Sequence, residues 1–213
     1  MKNFLPTDIT SLDNILGGGL ISNNLYFITG RPATGKTSLV TQIAYNTANY
    51  LQSIGSNKTV VMFSLEGAKS NIANEIRQLP LNIFDEPQDI NNIISLTKTK
   101  LTPALIIIDY IYILKNWNWD NFHKFKKLAT ELNIPIIVVA QLSSKFEKTP
   151  TLDITHIEMY EEVKKYSDKI ILLKKDDNKL GKFPINIDIY SKDNTKHKAI
   201  SLYFDGKNKL FYV

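Results

Sequence analysis

Cysteine is absent from the 213 residues, which excludes a disulfide framework, a thiolate metal site and a cysteine nucleophile. That absence permits a reducing compartment. Arginine is scarce: Arg31 and Arg77 are the only two among 26 basic residues. Long apolar runs are missing as well, since a membrane span needs roughly 18 such residues. The longest candidate, 105–108, stops at Asp109 and reads as a buried strand. The opening Met1-Lys2-Asn3-Phe4-Leu5-Pro6 lacks the apolar segment of a secretory signal. Repeats and low-complexity tracts are also lacking. His123, His156 and His197 have no metal-ligand spacing. These absences lead us to expect a soluble, cytoplasmic chain with no membrane partner.

A hydrophobic share of 43% and a charged share of 22% match ordinary globular proteins, so a sizeable core is expected. The length suits one α/β domain, 1–213, with an opening segment 1–24 and a C-terminal β extension 174–213. The net charge of +5 is uneven: from Lys164 onward 12 lysines stand against 6 acidic residues. Such a region either faces a phosphate backbone or forms a solvated lysine rim.

Strand-like runs at 25–28, 59–63, 105–108, 136–140 and 169–173 are mostly apolar on both faces, as in a parallel sheet covered by helices. Helical stretches at 36–51, 69–79 and 120–132 alternate with them. Phe122, Phe125, Leu128 and Leu132 recur at helical spacing and place one helix face on the sheet. This alternation predicts a doubly wound α/β fold. Beyond 173 the pattern becomes short alternating strands, 185–190, 199–204 and 210–213, with Asp205-Gly206 as a tight turn. An antiparallel extension of the sheet is expected there.

The segment Gly30-Arg31-Pro32-Ala33-Thr34-Gly35-Lys36-Thr37 matches G-x-x-x-x-G-K-[ST] at every fixed position, and Ser38 follows it. A strand feeds the segment and a helix leaves it. The glycines let backbone N–H groups turn inward to phosphate. Lys36 supplies a mobile cation for the β and γ oxygens of ATP, and the Thr37 hydroxyl suits Mg²⁺. The helix beginning at Gly35 adds the positive end of its dipole. Gly17-Gly18-Gly19 has no such context and reads as a flexible turn.

Asp109 ends the run at 105–108, at the sheet edge where ligands bind in such folds. It reads as a Mg²⁺ holder or as a plain strand-end acid. Glu66 follows the run 60–64 in the same way and is placed to polarise a water, or is a loop residue. Gln141, after 136–140, either senses the γ-phosphate or merely terminates a strand.

Phe63-Ser64-Leu65-Glu66, Ile107-Ile108-Asp109-Tyr110, and Leu132-Asn133-Ile134-Pro135 running to Gln141-Leu142 resemble successive motifs of the DnaB-type replicative helicases, as does the Arg31-Pro32 pair. The opening Ile9-Thr10-Ser11-Leu12-Asp13 to Gly18-Gly19-Leu20 is similar to the broader RecA/KaiC/RadA group. The likeness spans roughly 7–204 and covers that family's C-terminal motor domain. It implies a RecA-like core and a homo-oligomer, as a ring or filament and in one form a hexamer, with ATP sites between subunits. It also implies loops that meet single-stranded DNA. By this resemblance Lys36 and Thr37 serve phosphate and Mg²⁺, Glu66 is the catalytic base, Asp109 holds Mg²⁺ and Gln141 is a sensor. Lys145 and Lys148 occupy a nucleic-acid loop of the family, where DNA contact and solvent are both open. The family's Lys-Gln-Arg-Asn run, source of an arginine finger, corresponds to Ser191-Lys192-Asp193-Asn194, which carries no arginine. Slow hydrolysis is the expectation, because lysine does not reproduce the guanidinium fork.

Trp117 and Trp119 either anchor the next helix or stack on bases, core anchoring being favoured. Lys124, Lys126 and Lys127 read as a solvated helix face. Met159, Tyr160, Val163 and Tyr166 read as a core stripe.

Overall fold

The computed structural model describes residues 4–64, 78–146, 149, 151–175, 183–193, 195–207 and 210–212. Two short strands, β1 (Phe4–Leu5) and β2 (Leu20–Ile21), pair antiparallel around helix α1 (Thr10–Leu16). Asp13 organises this opening, since its carboxylate accepts from Thr7 N, Thr7 Oγ1 and Asp8 N. Gly17 and Gly18 close the helix by donating to the Asn14 and Asp13 carbonyls. The triple glycine is therefore a helix C-cap, as its left-handed conformation at Gly17 suits.

Then come β3 (Leu25–Gly30), α2 (Lys36–Ser53), β4 (Thr59–Ser64), β5 (Leu81–Phe84), α3 (Ile90–Thr99), β6 (Pro103–Asp109), α4 (His123–Leu132), β7 (Ile136–Gln141), α5 (Tyr160–Tyr166) and β8 (Lys169–Lys175). The antiparallel strands β9 (Phe183–Ser191), β10 (Lys196–Asp205) and β11 (Leu210–Tyr212) follow. Among the described residues, nine strands form one sheet in the order β11-β10-β9-β8-β3-β7-β6-β4-β5. Strands β3 to β8 pair parallel with one another, and β8 to β11 pair antiparallel. The expected doubly wound sheet with an antiparallel extension is present.

All six residues of β3 and all seven of β6 are buried, so the central strands have helices or loops on both faces. One apolar cluster packs α2 on the face bearing Tyr26, Ile28, Met62 and Ile107; the other packs α4 on the face bearing Phe27, Val61, Ile106 and Val138. Asp168 fastens the central strands, accepting from Leu25 N at 2.8 Å and Lys126 Nζ at 2.6 Å. Lys126 also reaches the Asn23 carbonyl at 2.7 Å, so it is a tie between elements and not part of a solvated face.

Several local expectations are corrected. The helix expected at 120–132 begins at His123, because the Asn118 side chain accepts from Asn121 N and folds Trp119–Asn121 into a separate tight turn. Trp117 and Trp119 pack against Phe125, Phe122 and Phe27, which is the core-anchoring arrangement. Met159 does not join a core stripe: it is 49% exposed, in a left-handed conformation at the N-cap of α5, while Val163 is buried. The turn expected at Asp205-Gly206 is present: Asp205 ends β10 as the register partner of Leu210, and its carboxylate accepts from Lys207 N at 2.9 Å. Of the stretch expected as helix at 69–79, residues 69–77 lie outside the described residues.

The lysine surplus is partly structural. Asp188 on β9 is 3% exposed and accepts from Lys174 Nζ at 2.6 Å, and Lys196 Nζ stands 2.8 Å away. Burial pushes its carboxyl up, but the bonds from the two ammonium groups outweigh that and hold it below the usual carboxylate range.

Candidate nucleotide site

The loop between β3 and α2 is wound by two left-handed residues, Ala33 at φ 57° and Gly35 at φ 83°. At Gly30 a Cβ would sit 2.6 Å from the Leu173 carbonyl oxygen and 2.9 Å from Thr34 Oγ1, so only glycine fits against β8 there. Thr34 is buried and donates its hydroxyl to the Arg31 carbonyl at 2.9 Å, which pins the loop from inside. Pro32 and Ala33 lie exposed on its outer turn, and Ser38 is half-buried in the first turn of α2.

Lys36 is 6% exposed, and its ammonium donates to the carbonyls of Gly30 at 3.1 Å and Arg31 at 2.8 Å. A cation is thus held in the bowl of the loop, at the positive end of the α2 dipole. Charge and shape there suit an anion of phosphate type.

Asp109 is the last residue of β6 and is 1% exposed. Thr37 donates its hydroxyl to Asp109 Oδ1 at 3.4 Å, and Ser64, at the end of β4, donates to Oδ2 at 3.3 Å. Ser64 and Asp109 are register partners in the parallel pair. These three residues bring four hard oxygens together beside the phosphate bowl, a donor chemistry that fits Mg²⁺. Sequence reasoning named Thr37 and Asp109 and missed Ser64. Its signal was a hydroxyl that ends the apolar run 60–63, two positions before Glu66.

Gln141 ends β7, which lies between β3 and β6 in the sheet. It is the register partner of Gly30, while Asp109 pairs two residues earlier, with Val139. Gln141 therefore stands between the phosphate loop and Asp109, at the carboxyl edge. Glu66 and Lys148 lie outside the described residues. Lys145 is exposed in the turn Ser144–Phe146 that follows β7. This segment is attached to the phosphate loop, because the Arg31 guanidinium donates to the Thr149 carbonyl.

Of the stretch matched to the arginine-finger run, Ser191 ends β9 and Asn194 lies outside the described residues. Lys192 and Asp193 are exposed, and the Asp193 carboxylate accepts from Thr195 N at 3.0 Å. Among the described residues no cluster of His, Asp or Glu forms an independent metal site, and no helix is long and apolar enough to cross a membrane.

A mainly parallel sheet with a phosphate loop after one central strand and an acid at the end of the strand two places along defines a RecA-like P-loop ATPase domain. More particularly, the model of the DnaB-like helicase C terminal domain matches residues 5–78 and 70–212, and the chain belongs to that family. The DNA repair protein RadA of Aquifex aeolicus is 26% identical over 153 residues, covering 65% of this chain and 33% of that protein. The replicative DNA helicase DnaB of Rickettsia prowazekii is 28% identical over 193 residues, covering 67% of this chain and 40% of its own length. This chain therefore spans well under half of either relative. A solved DnaB-like replicative helicase superposes with a TM-score of 0.80 at 22% identity, covering 99% of this chain and 62% of that one. At that identity the likeness speaks for the fold.

Proposed function

We propose that the chain binds ATP with Mg²⁺ and hydrolyses it slowly, in work on single-stranded DNA during replication or repair. The observation that carries the reading is the convergence of Lys36, Thr37 and Asp109 on one bowl of backbone at the sheet edge. Lys36 and the amides of the loop take the phosphate tail, and Lys36 exchanges its two carbonyl partners for phosphate oxygens. Thr37 and Asp109 hold the Mg²⁺, with Ser64 orienting the carboxylate. When bound, the ion neutralises charge on the β and γ oxygens. Glu66 serves as the base that takes a proton from the attacking water, and Gln141 contacts the γ-phosphate from the strand between loop and acid.

Family membership favours a homo-oligomer, a ring or filament with a hexamer as one form, in which the loops after β6 and β7 meet DNA. The bond from Arg31 to Thr149 supports a link between nucleotide and the segment bearing Lys145 and Lys148.

A second reading is a nucleotide-gated module in which ATP recruits a partner and turnover is incidental. The arginine-free turn at Lys192 and Asp193 favours it, since an arginine finger contributes about 10³ to 10⁵ in rate elsewhere. Steady-state phosphate release with and without single-stranded DNA separates the two. The first reading expects stimulation by DNA. Turnover indifferent to DNA sinks it and leaves the gated module.

A further inference from the structure

The last strand reaches back to the phosphate loop. Phe211 on β11 is 3% exposed, and a Cβ placed on Gly35 would lie 2.8 Å from its Cζ and 3.2 Å from its Cε2. The ring therefore lies flush against the glycine that opens α2, in the space any other side chain at that position would occupy. Beside it Phe204 packs at 4.8 Å between ring centroids, tilted by 32°, and its Cε2 would itself lie 3.6 Å from that Cβ. The main chain of Phe211 is clamped at the same time: its N–H donates to Gln42 Oε1 at 2.7 Å, and its carbonyl accepts from Gln42 Nε2 at 2.9 Å.

Gln42 follows Gly35 by seven residues, about two helical turns, so both contacts fall on one face of α2. One side-chain amide thus satisfies a donor and an acceptor on the outer edge of the sheet, groups that otherwise face solvent or another chain. The amide sets how far along α2 the strand sits, and the strand sets where the ring meets Gly35. Phe211 packs on the sheet side chain of Phe204 as a core ring would, but its contacts go further. It touches the left-handed residue on which the inward turn of the loop amides depends.

We infer that Phe211 and Gln42 are positioning residues for nucleotide: the ring wedges Gly35 and the amide holds the ring, so the C-terminal hairpin keeps the phosphate loop in its binding shape. The inference rests on the ATP reading above. It couples β11 to the ligand in both directions, because linkage between two sites is reciprocal.

The test uses the full chain, calorimetry with a non-hydrolysable ATP analogue plus Mg²⁺, and hydrogen exchange at the Phe211 amide. Phe211→Tyr adds its hydroxyl at Cζ, the atom aimed at Gly35, and should weaken analogue affinity about fivefold or more. Gln42→Ala should weaken it comparably, at temperatures where circular dichroism shows the fold intact. A role confined to packing would lower the melting temperature and leave the affinity unchanged. In the unmutated chain the analogue should slow exchange of the Phe211 N–H, a measurement that decides even where a variant fails to fold. An unmutated chain that binds no analogue overturns the ATP reading and this inference with it. Normal binding by the unmutated chain and by both folded variants, within about twofold, with Phe211 exchange unaltered by the analogue, overturns the inference alone.

Discussion

The hydroxyl of Thr37 and the carboxylate of Asp109 meet at 3.4 Å although 72 residues of sequence separate them. One comes from the first turn of the helix after β3 and the other from the end of β6, with β7 between those strands. The meeting follows from a phosphate loop and a strand-end acid sharing one carboxyl edge. Ser64 holds the far oxygen of the carboxylate at 3.3 Å, which fixes its rotation.

Ser64→Ala should accordingly leave ATP affinity in the absence of metal nearly unchanged and weaken Mg²⁺ affinity in the ATP complex by about tenfold. Residues that orient a metal ligand commonly contribute ten- to hundredfold. Titration of Mg²⁺ at saturating ATP reads this directly. An unchanged metal affinity would mean that Asp109 is held by its strand alone.

Lys36→Ala should abolish ATP binding with the fold retained. The ammonium is tied to two loop carbonyls, so its loss removes two charge-assisted bonds, and destabilisation of about 2 kcal/mol is expected with them. Calorimetry on a variant shown to be folded checks the assignment. ATP affinity equal to that of the unmutated chain would end it.

Much of this arrangement was legible in the sequence, for physical reasons that differ from one element to the next. The phosphate loop was, because G-x-x-x-x-G-K-[ST] between a strand and a helix specifies its own backbone. Five of the six described parallel strands were, because burial on both faces writes continuous apolar runs. Strand β5 was not: Leu81–Phe84 is a four-residue edge strand, half-buried, with no alternation to mark it. Helix α3 was missed although Asp89 caps it by accepting from Asn91 N at 2.7 Å, a signal visible only once the helix is suspected. Ser64 and the Gln42–Phe211 clamp were illegible because their partners are set by tertiary register. Lys126 and Lys174 looked like solvent-facing charges because nothing local shows the aspartates they serve, half-buried Asp168 and buried Asp188.

Glu66→Gln should preserve ATP affinity and remove most turnover, since loss of a general base costs about 10² to 10⁴ in rate. Single-turnover hydrolysis is the suitable measurement, because it separates chemistry from product release. Turnover within about threefold of the unmutated chain, a small part of that range, places the base elsewhere.

Asp188→Asn should destabilise the antiparallel extension by about 2 kcal/mol at neutral pH, the scale of hydrogen bonds to a charged group. Lys174 and Lys196 would lose their shared anion. The native carboxyl titrates below its unfolded value of about 3.9, so its stabilisation is complete above that pH and fades as pH falls through the lower native value. Urea midpoints of the two proteins should therefore differ most near neutrality and converge below about pH 4. A constant difference down to about pH 2, a value below that window, would show that the pair contributes by shape and not by charge.

Binding to single-stranded DNA should be weak, sequence-independent, salt-sensitive and stronger with ATP. The lysine surplus after Lys164 first suggested phosphate contacts, but Lys174 and Lys196 are committed to Asp188, which shifts weight to the segment after β7. Lys145 is exposed there, and Arg31 of the phosphate loop holds the Thr149 carbonyl of the same segment. If the contacts are to phosphates, the logarithm of affinity falls linearly with the logarithm of salt, at about −0.7 per phosphate neutralised. Fluorescence anisotropy of a labelled oligonucleotide across salt concentrations, with and without a non-hydrolysable ATP analogue, measures both dependences. Reversing Lys145 and Lys148 to Glu should lower affinity equally for all sequences and flatten the salt slope. Arg31→Ala should weaken the dependence on nucleotide while leaving the slope in place, because it cuts the tie without removing a phosphate contact. An anisotropy indifferent both to nucleotide and to the lysine reversals rejects DNA as the ligand of this segment, and the partner-recruiting module then becomes the reading that remains.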